Sequence, residues 1–145
     1  MRNFRLEPVL RVRKHREDHA QIELAKSRAL LEKAQQELDR TEETRSLVEA
    51  KLQRKLCSSV TVSDVLIFQR YLDRLLQEAE TGLKKVAEAR EAFEQRRLEL
   101  TEKMKDRKVI DRLKENRDAA EQSAANRHEQ AFINEVAVNR FARSL

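Results

Sequence analysis

The chain has 145 residues, of which 39% are charged and 4% aromatic, and it contains one glycine and one proline. Glycine and proline punctuate structure, so their near absence excludes the many turns of a globular domain and predicts very few, very long helices. The formal net charge is +5, from 31 basic and 26 acidic residues. Most of these charges can pair along helix surfaces, and the excess can steer the chain toward an acidic partner.

Cysteine content and hydropathy indicate in which cellular compartment the chain is expected. The lone cysteine, Cys57, excludes an intramolecular disulfide and fits a reducing compartment. No apolar run approaches the ~20 residues that a membrane-spanning helix needs. Residues 1–6 have no continuous apolar stretch after their charges, so no secretory signal is expected there. The expected location is therefore the cytoplasm.

The first predicted helix covers about residues 7–57 and starts at Glu7-Pro8, because a first helical turn has no use for the N–H that proline lacks. A heptad row follows, here called the leucine comb: Leu10, Leu24, Leu31, Leu38 and Leu52 recur at seven-residue spacing, with Glu17 and Arg45 at the two remaining positions. A companion row is mostly small and consists of Ala20, Ser27, Ala34, Thr41 and Val48. The rows alternate by three and four residues, which predicts a coiled-coil seam that a second helix can approach closely.

A turn is predicted at about residues 58–62, where β-branched and hydroxyl residues cluster. Serine and threonine compete for backbone hydrogen bonds and therefore favour helix caps. Either Thr61 or Ser63 can cap the next helix, with Asp64 as an acid in its first turn. A connection this short between long helices predicts an antiparallel hairpin.

The second predicted helix covers about residues 63–142 and carries two matching rows. One row is Val65, Leu72, Ala79, Val86, Phe93 and Leu100. The other is Phe68, Leu75, Gly82, Ala89, Arg96, Lys103 and Ile110. The seam is expected to be strong near the turn and to weaken where Arg96 and Lys103 intrude. Gly82 is expected level with Ala34, as a position of close packing or a soft spot.

Helix lengths decide the architecture. At 1.5 Å per residue the first helix reaches ~75 Å and the second ~120 Å. Folding back uses about the first 50 residues of the second helix, so roughly 30 residues project past the start of the first. The expected fold class is all-α: two long helices in an antiparallel coiled-coil hairpin, with the second helix overhanging. Residues 1–145 are expected to form a single coiled-coil domain.

The overhang carries apolar residues that have no partner in the chain: Phe132, Ile133, Val136, Ala137 and Phe141. Spacings of four and five predict that Phe132, Val136 and Phe141 lie close to one helix face, flanked by Arg140 and Arg143. Unpartnered apolar residues at the end of a rod predict a docking surface, and the basic rim suits a partner with apolar and acidic groups. The alternatives are a fold-back onto Phe4 and Leu6, or self-association.

The sequence contains no recognisable pattern of catalytic residues. His15 and His19 lie four residues apart on one helix face, but two ligands without a third make a weak metal site, and a solvated basic face is favoured. There is no glycine-rich phosphate loop, and Cys57 has no neighbouring histidine to activate it. The sequence therefore predicts no catalytic residue, no cofactor and no metal.

Basic residues gather near the N-terminus: Arg2, Arg5, Arg11, Arg13, Lys14 and Arg16. Glu7, Glu17 and Asp18 dilute them. A DNA-binding basic region would be denser and would feed a parallel dimer, whereas this chain supplies its own antiparallel partner. Direct binding of nucleic acid is therefore not expected.

Three segments together resemble one known family. They are the opening Phe4-x-Leu6-x-x-Val9-Leu10 followed by Glu17, the segment Ser63-Asp64-Val65-Leu66 through Tyr71-Leu72-x-x-Leu75, and the C-terminal Asn126-Arg127-x-Glu129-Gln130 and Asn134-Glu135-x-Ala137 with Arg140 and Arg143. They resemble the FliJ/YscO family, the stalk proteins of flagellar and injectisome type III secretion. The C-terminal match favours the flagellar branch, while Leu6-Glu7-Pro8-Val9-Leu10 is also similar to injectisome relatives.

The resemblance implies a non-enzymatic antiparallel stalk, similar to the gamma subunit of the rotary ATP synthase. Proteins of this family enter the pore of a hexameric export ATPase, promote its assembly and hydrolysis, and link it to the membrane export gate. The resemblance also implies a location peripheral to the inner membrane and export chaperones as further partners. The implied ATPase-docking residues are Phe132, Val136, Arg140, Phe141 and Arg143. The implied gate contacts are Tyr71 and Leu75, although Leu75 also belongs to the seam.

An alternative from a different class is a structural coiled-coil adaptor, or a nucleic-acid-associated rod, with no ATPase partner. Co-purification with a hexameric ATPase distinguishes the two hypotheses.

The interrupted seam and the overhang predict an elongated monomer. Scattering in solution should give a radius of gyration well above the ~15 Å of a compact chain of this size. A compact value, or a stable parallel dimer, would contradict the hairpin.

Overall fold

A computed structural model describes residues 4–145, so Arg2 of the basic cluster lies outside the described residues. Two helices make up nearly all of this part of the chain: α1 (Glu7–Leu56) and α2 (Val62–Ser144). The described residues contain no strand. The helices pack against each other, which confirms the all-α helical hairpin.

Short-range hydrogen bonds satisfy the helix ends at the turn. The N–H of Asp64 donates to Oγ1 of Thr61 at 3.2 Å, so Thr61 is the cap of α2. At the end of α1, the N–H and the hydroxyl of Ser58 both donate to the carbonyl of Lys55, at 3.1 and 3.0 Å. Asp64 lies in the first turn of α2, where its charge complements the helix dipole. These contacts fix where α1 stops and α2 starts.

The chain divides into two compact units. The turn unit is Asp18–Thr101, and the terminal unit is Met1–Glu17 with Glu102–Leu145. Each unit contains part of both helices. The expectation of a single domain stays a prediction.

In the turn unit the two helices run antiparallel. Glu23, early in α1, pairs with Arg96 at 3.7 Å. Lys55, at the other end of α1, has its Nζ 4.9 Å from the centre of the Phe68 ring. Partners therefore move back along α2 as the chain advances along α1.

The core of the turn unit is thin, because the helices meet along narrow rows. Its members are buried Leu38, Ala79 and Val86, with Leu31 and Ala34 packed against them. The nearest neighbour of Gly82 is Leu38, rather than Ala34 as expected. A Cβ on Gly82 would lie 3.1 Å from Cδ1 of Leu38. The absent side chain leaves room for Leu38, so the glycine marks a close approach.

In the terminal unit the helices are also antiparallel, since Glu7 pairs with Lys114 and Glu17 pairs with Arg107. Leu10 is only 1% exposed, which makes it the most buried large side chain in residues 4–145. Phe93, Leu100 and Lys103 are only half-buried, in line with the weakening expected where Arg96 and Lys103 intrude. The weakening does not continue beyond them, because Leu10 and Ile110 of the terminal unit are buried. Charged side chains at the neighbouring row positions pair across the seam instead of opening it.

A buried ion pair stands where the leucine comb breaks. Glu17 is 6% exposed and accepts a hydrogen bond from Nε of Arg107. A second nitrogen of the same guanidinium, Nη1, donates to Asp111. The hydrogen bond to Glu17 raises the pKa of the Arg107 guanidinium above its ordinary value, with a further contribution from Asp111 and against the opposing effect of burial. A buried carboxylate is tolerated here because this charged partner is always present.

Two further contacts extend this charged seam toward the start of α1. Nζ of Lys114 lies 3.1 Å from a carboxylate oxygen of Glu7. The guanidinium of Arg117 lies 5.5 Å from the centre of the Phe4 ring, within cation–π range. Arg107, Lys114 and Arg117 continue the two rows of α2 at spacings of seven and three.

Replacing Glu17 tests the charged seam. Glu17→Ala leaves a half-buried guanidinium with one carboxylate fewer, so we expect a loss of about 1–3 kcal/mol in the free energy of unfolding. Urea unfolding followed by circular dichroism measures this loss.

The matched control is Glu32→Ala. Glu32 pairs with Arg28 at 3.3 Å, but both side chains are well exposed. The control should change stability by less than about 0.5 kcal/mol. Equal losses from the two variants would contradict a special role for the Glu17 pair.

Candidate docking surfaces

The eight predicted seam residues all lie in the turn unit and line the contact between its helices. Leu38 and Val86 are buried. The other six are half-buried: Leu24, Leu31, Leu52, Leu72, Phe93 and Leu100. These side chains hold the hairpin together, so partners have to be sought on the outward faces.

The C-terminal segment, residues 118–144, continues α2 beyond the contact between Arg117 and Phe4. Every residue of this segment is exposed. Phe132 is 65% exposed and Phe141 is 67% exposed. The segment is helical to Ser144 and does not fold back onto Phe4. Its apolar side chains are therefore available to a partner.

The expectation that Phe132, Val136 and Phe141 share one narrow face is wrong. In a continuous helix each residue turns by ~100°, so Phe132 and Phe141, nine residues apart, point in roughly opposite directions. Val136 lies beside Phe132, whereas Ile133, Ala137 and Phe141 follow one another around the next part of the helix surface. Val138, which is 65% exposed, lies further round the helix. The segment therefore presents a broad apolar surface that covers more than half of the helix circumference.

The two arginines of the C-terminal segment lie within this broad surface, not on its rim. Arg140 is one turn beyond Val136, and Arg143 falls in line with Phe132. Both arginines are exposed. The segment therefore ends in a mixed surface, apolar first and basic toward the C-terminus.

The two expected gate contacts differ in exposure. Tyr71 is 42% exposed, but Leu75 is 4% exposed. While α1 covers it, Leu75 cannot contact a partner directly. The expected gate surface is therefore reduced to Tyr71 and its exposed neighbours.

Sequence reasoning missed a groove beside Tyr71. It has a volume of about 500 Å³ and is lined by Val48, Lys51, Arg54, Lys55, Phe68 and Tyr71. Ile67, one turn before Tyr71, is 63% exposed. The signal was present in residues 62–72, which hold apolar side chains at more positions than the two seam rows require.

In residues 4–145, no group of three or more His, Cys, Asp or Glu side chains could hold a metal ion. Neither helix, as far as the structure describes them, has a stretch long and apolar enough to cross a membrane.

Comparisons with known proteins bear on the fold and the family. The chain resembles the solved structure of CT670 from Chlamydia trachomatis, described as a YscO homolog, with a TM-score of 0.66 and 22% identity over 99% of both chains. At this identity the likeness shows the fold. No curated protein sequence matches the chain significantly. The family described as flagellar FliJ protein matches residues 1–145, the whole length of the chain. The chain therefore belongs to the flagellar FliJ family, whose members are associated with type III protein export.

Proposed function

We propose that this chain is a non-enzymatic stalk of a flagellar type III export apparatus, which docks into a hexameric export ATPase and links it to the membrane export gate. Membership of the FliJ family supports the association with export. The observation that carries the proposal is the C-terminal segment, a helix whose apolar and basic side chains are exposed on several sides.

A ring pore suits this segment better than a flat partner does. A flat surface buries one side of a helix, whereas Phe132 and Phe141 point in roughly opposite directions. A pore encloses the helix, so both rings can be buried at once. Acidic groups in the pore would pair with Arg140 and Arg143.

The proposed mechanism is positional. A single helix hairpin has no rotational symmetry that matches a ring of six subunits, so it contacts those subunits unequally. Unequal binding energy favours different conformations in different subunits and thereby biases the ring toward assembly and hydrolysis. The stalk itself contributes no catalytic group and needs no cofactor.

The C-terminal segment is tested by Phe132→Ala combined with Phe141→Ala. Each ring contributes about 1.5–3 kcal/mol when buried, so the double variant should bind the ATPase roughly a hundredfold or more weakly and lose stimulation of hydrolysis. The measurement is ATP hydrolysis by the export ATPase of the same organism, titrated with the stalk.

The matched control is Leu30→Ala combined with Leu98→Ala. These leucines are 64% and 55% exposed and lie outside the C-terminal segment. The control should stimulate like the wild type, and circular dichroism should show all variants equally helical. Full stimulation by the Phe132 and Phe141 variant would remove the C-terminal segment as the docking surface.

The gate contact is proposed at Tyr71. Tyr71→Ala should weaken binding to the soluble part of the export gate, while helicity and ATPase stimulation stay nearly unchanged, since Tyr71 lies outside the seam rows. Leu76→Ala is the control, because Leu76 is 45% exposed on another side of α2. Binding by surface plasmon resonance reports the effect, and equal losses in gate binding, helicity and stimulation would instead indicate a packing role for Tyr71.

Export chaperones are further proposed partners, and the proposed location is cytoplasmic, at the inner-membrane export apparatus. The competing hypothesis is a structural adaptor, or a nucleic-acid-associated rod, without an ATPase. Co-purification of the tagged chain with a hexameric ATPase supports the stalk, and its absence supports the adaptor.

A further inference from the structure

The first three turns of α2 are apolar on nearly every side. Val62 and Leu66 lie along one side and are 77% and 48% exposed. Ile67 and Tyr71 lie along a different side and are 63% and 42% exposed. The side with half-buried Phe68 faces α1, and Tyr71 borders the groove next to α1. A helix that is apolar all round is normally covered all round, so something beyond α1 is expected to cover this one.

The charge of the same region is strongly one-sided. Residues 50–72 contain four basic side chains, Lys51, Arg54, Lys55 and Arg70. The only acid among them is Asp64, which sits in the first turn of α2, where the helix dipole offsets its charge. Leu56, at the end of α1, adds a further apolar side chain that is 57% exposed. The turn therefore combines apolar side chains with a surplus of positive charge.

The arrangement around the turn decides which partner fits. A protein partner buries one contiguous face, with a polar rim at its edge. Here the apolar side chains point in several directions around the turn, and the basic side chains of α1 lie within about two helical turns of its end. A surface approached end-on can cover all of them together. An anionic lipid layer has this geometry, with phosphates above an apolar interior.

We propose that the turn of the hairpin binds an anionic lipid surface. Leu56, Val62, Leu66 and Ile67 enter the boundary between headgroups and acyl chains. Lys51, Arg54, Lys55 and Arg70 pair with the lipid phosphates. The proposal is independent of ATPase docking, which involves a different segment of α2.

Cys57 provides a direct test. It is exposed, lies in the turn, and is the only cysteine of the chain, so a polarity-sensitive fluorophore attaches at one place without any substitution. Vesicles of phosphatidylglycerol and phosphatidylcholine in equal parts should shift its emission to shorter wavelength. Vesicles of phosphatidylcholine alone should give a much smaller shift. No shift with the anionic vesicles would overturn the proposal.

Paired substitutions separate the two contributions. Lys51→Gln with Arg54→Gln should weaken binding roughly 25-fold, at about fivefold for each charge near the lipid surface. Val62→Ser with Ile67→Ser should weaken binding at least about tenfold, because apolar burial holds an interfacial helix in place. Vesicle co-sedimentation across a lipid titration gives both values.

The controls change the same chemistry elsewhere. Lys84→Gln with Lys85→Gln removes two charges from exposed positions about six turns into α2, and Ile22→Ser with Leu30→Ser removes two exposed apolar side chains from α1. Both controls should bind vesicles within about twofold of the wild type. Equal losses in controls and turn variants would overturn the proposal in favour of nonspecific adsorption.

ATPase stimulation, measured on the same variants, should be unchanged. Self-association of the free chain that the Val62 and Ile67 substitutions abolish, without any binding to vesicles, would instead assign the turn to a second copy of this chain and would overturn lipid binding.

Discussion

The seven-residue seam between α1 and α2 is the constraint on which the other features depend. Two helices in contact need a filled seam, which apolar or small side chains can fill, and a charge buried there needs a partner. In the turn unit Leu38 and Val86 fill it. In the terminal unit Glu17 and Arg107 do so as an ion pair. Because the seam uses the inward rows in both units, recognition is left to side chains that point outward.

Much of the fold follows from elementary patterns in the sequence. The leucine comb and the hydroxyl-rich turn predict two long antiparallel helices, because period and capping are local properties. The position opposite Gly82 was placed at Ala34 instead of Leu38, since interhelical register depends on side-chain packing across the pair. The role of Arg107 was missed for a related reason. A charged residue in an apolar row looks like an interruption in the packing of the seam when its ion-pair partner on the other helix is not known.

The candidate surfaces were predictable to different degrees. Exposure of Phe132 follows from helix length, because α1 is too short to cover it. The relation of Phe132 to Phe141 also follows from the helical period. Spacings of four and five residues turn the helix by about 40° and 140°, which add up to opposite faces and not to one. The burial of Leu75 was predictable, because Leu75 belongs to one of the two seam rows of α2. By contrast, the groove beside Tyr71 depends on how Lys51 and Arg54 of α1 lie against α2, which no local pattern contains.

The charged seam also restricts which chains this helix can pair with. Arg107, Lys114 and Arg117 follow one another along the inward rows of α2. Two α2 helices side by side in the same direction and register would set each of these cations against its own copy. Repulsion between like charges at a contact raises the free energy of that arrangement, whereas α1 offers Glu7 and Glu17 at the matching heights. The same residues that stabilise the hairpin therefore disfavour a homodimer in which two α2 helices pair in parallel.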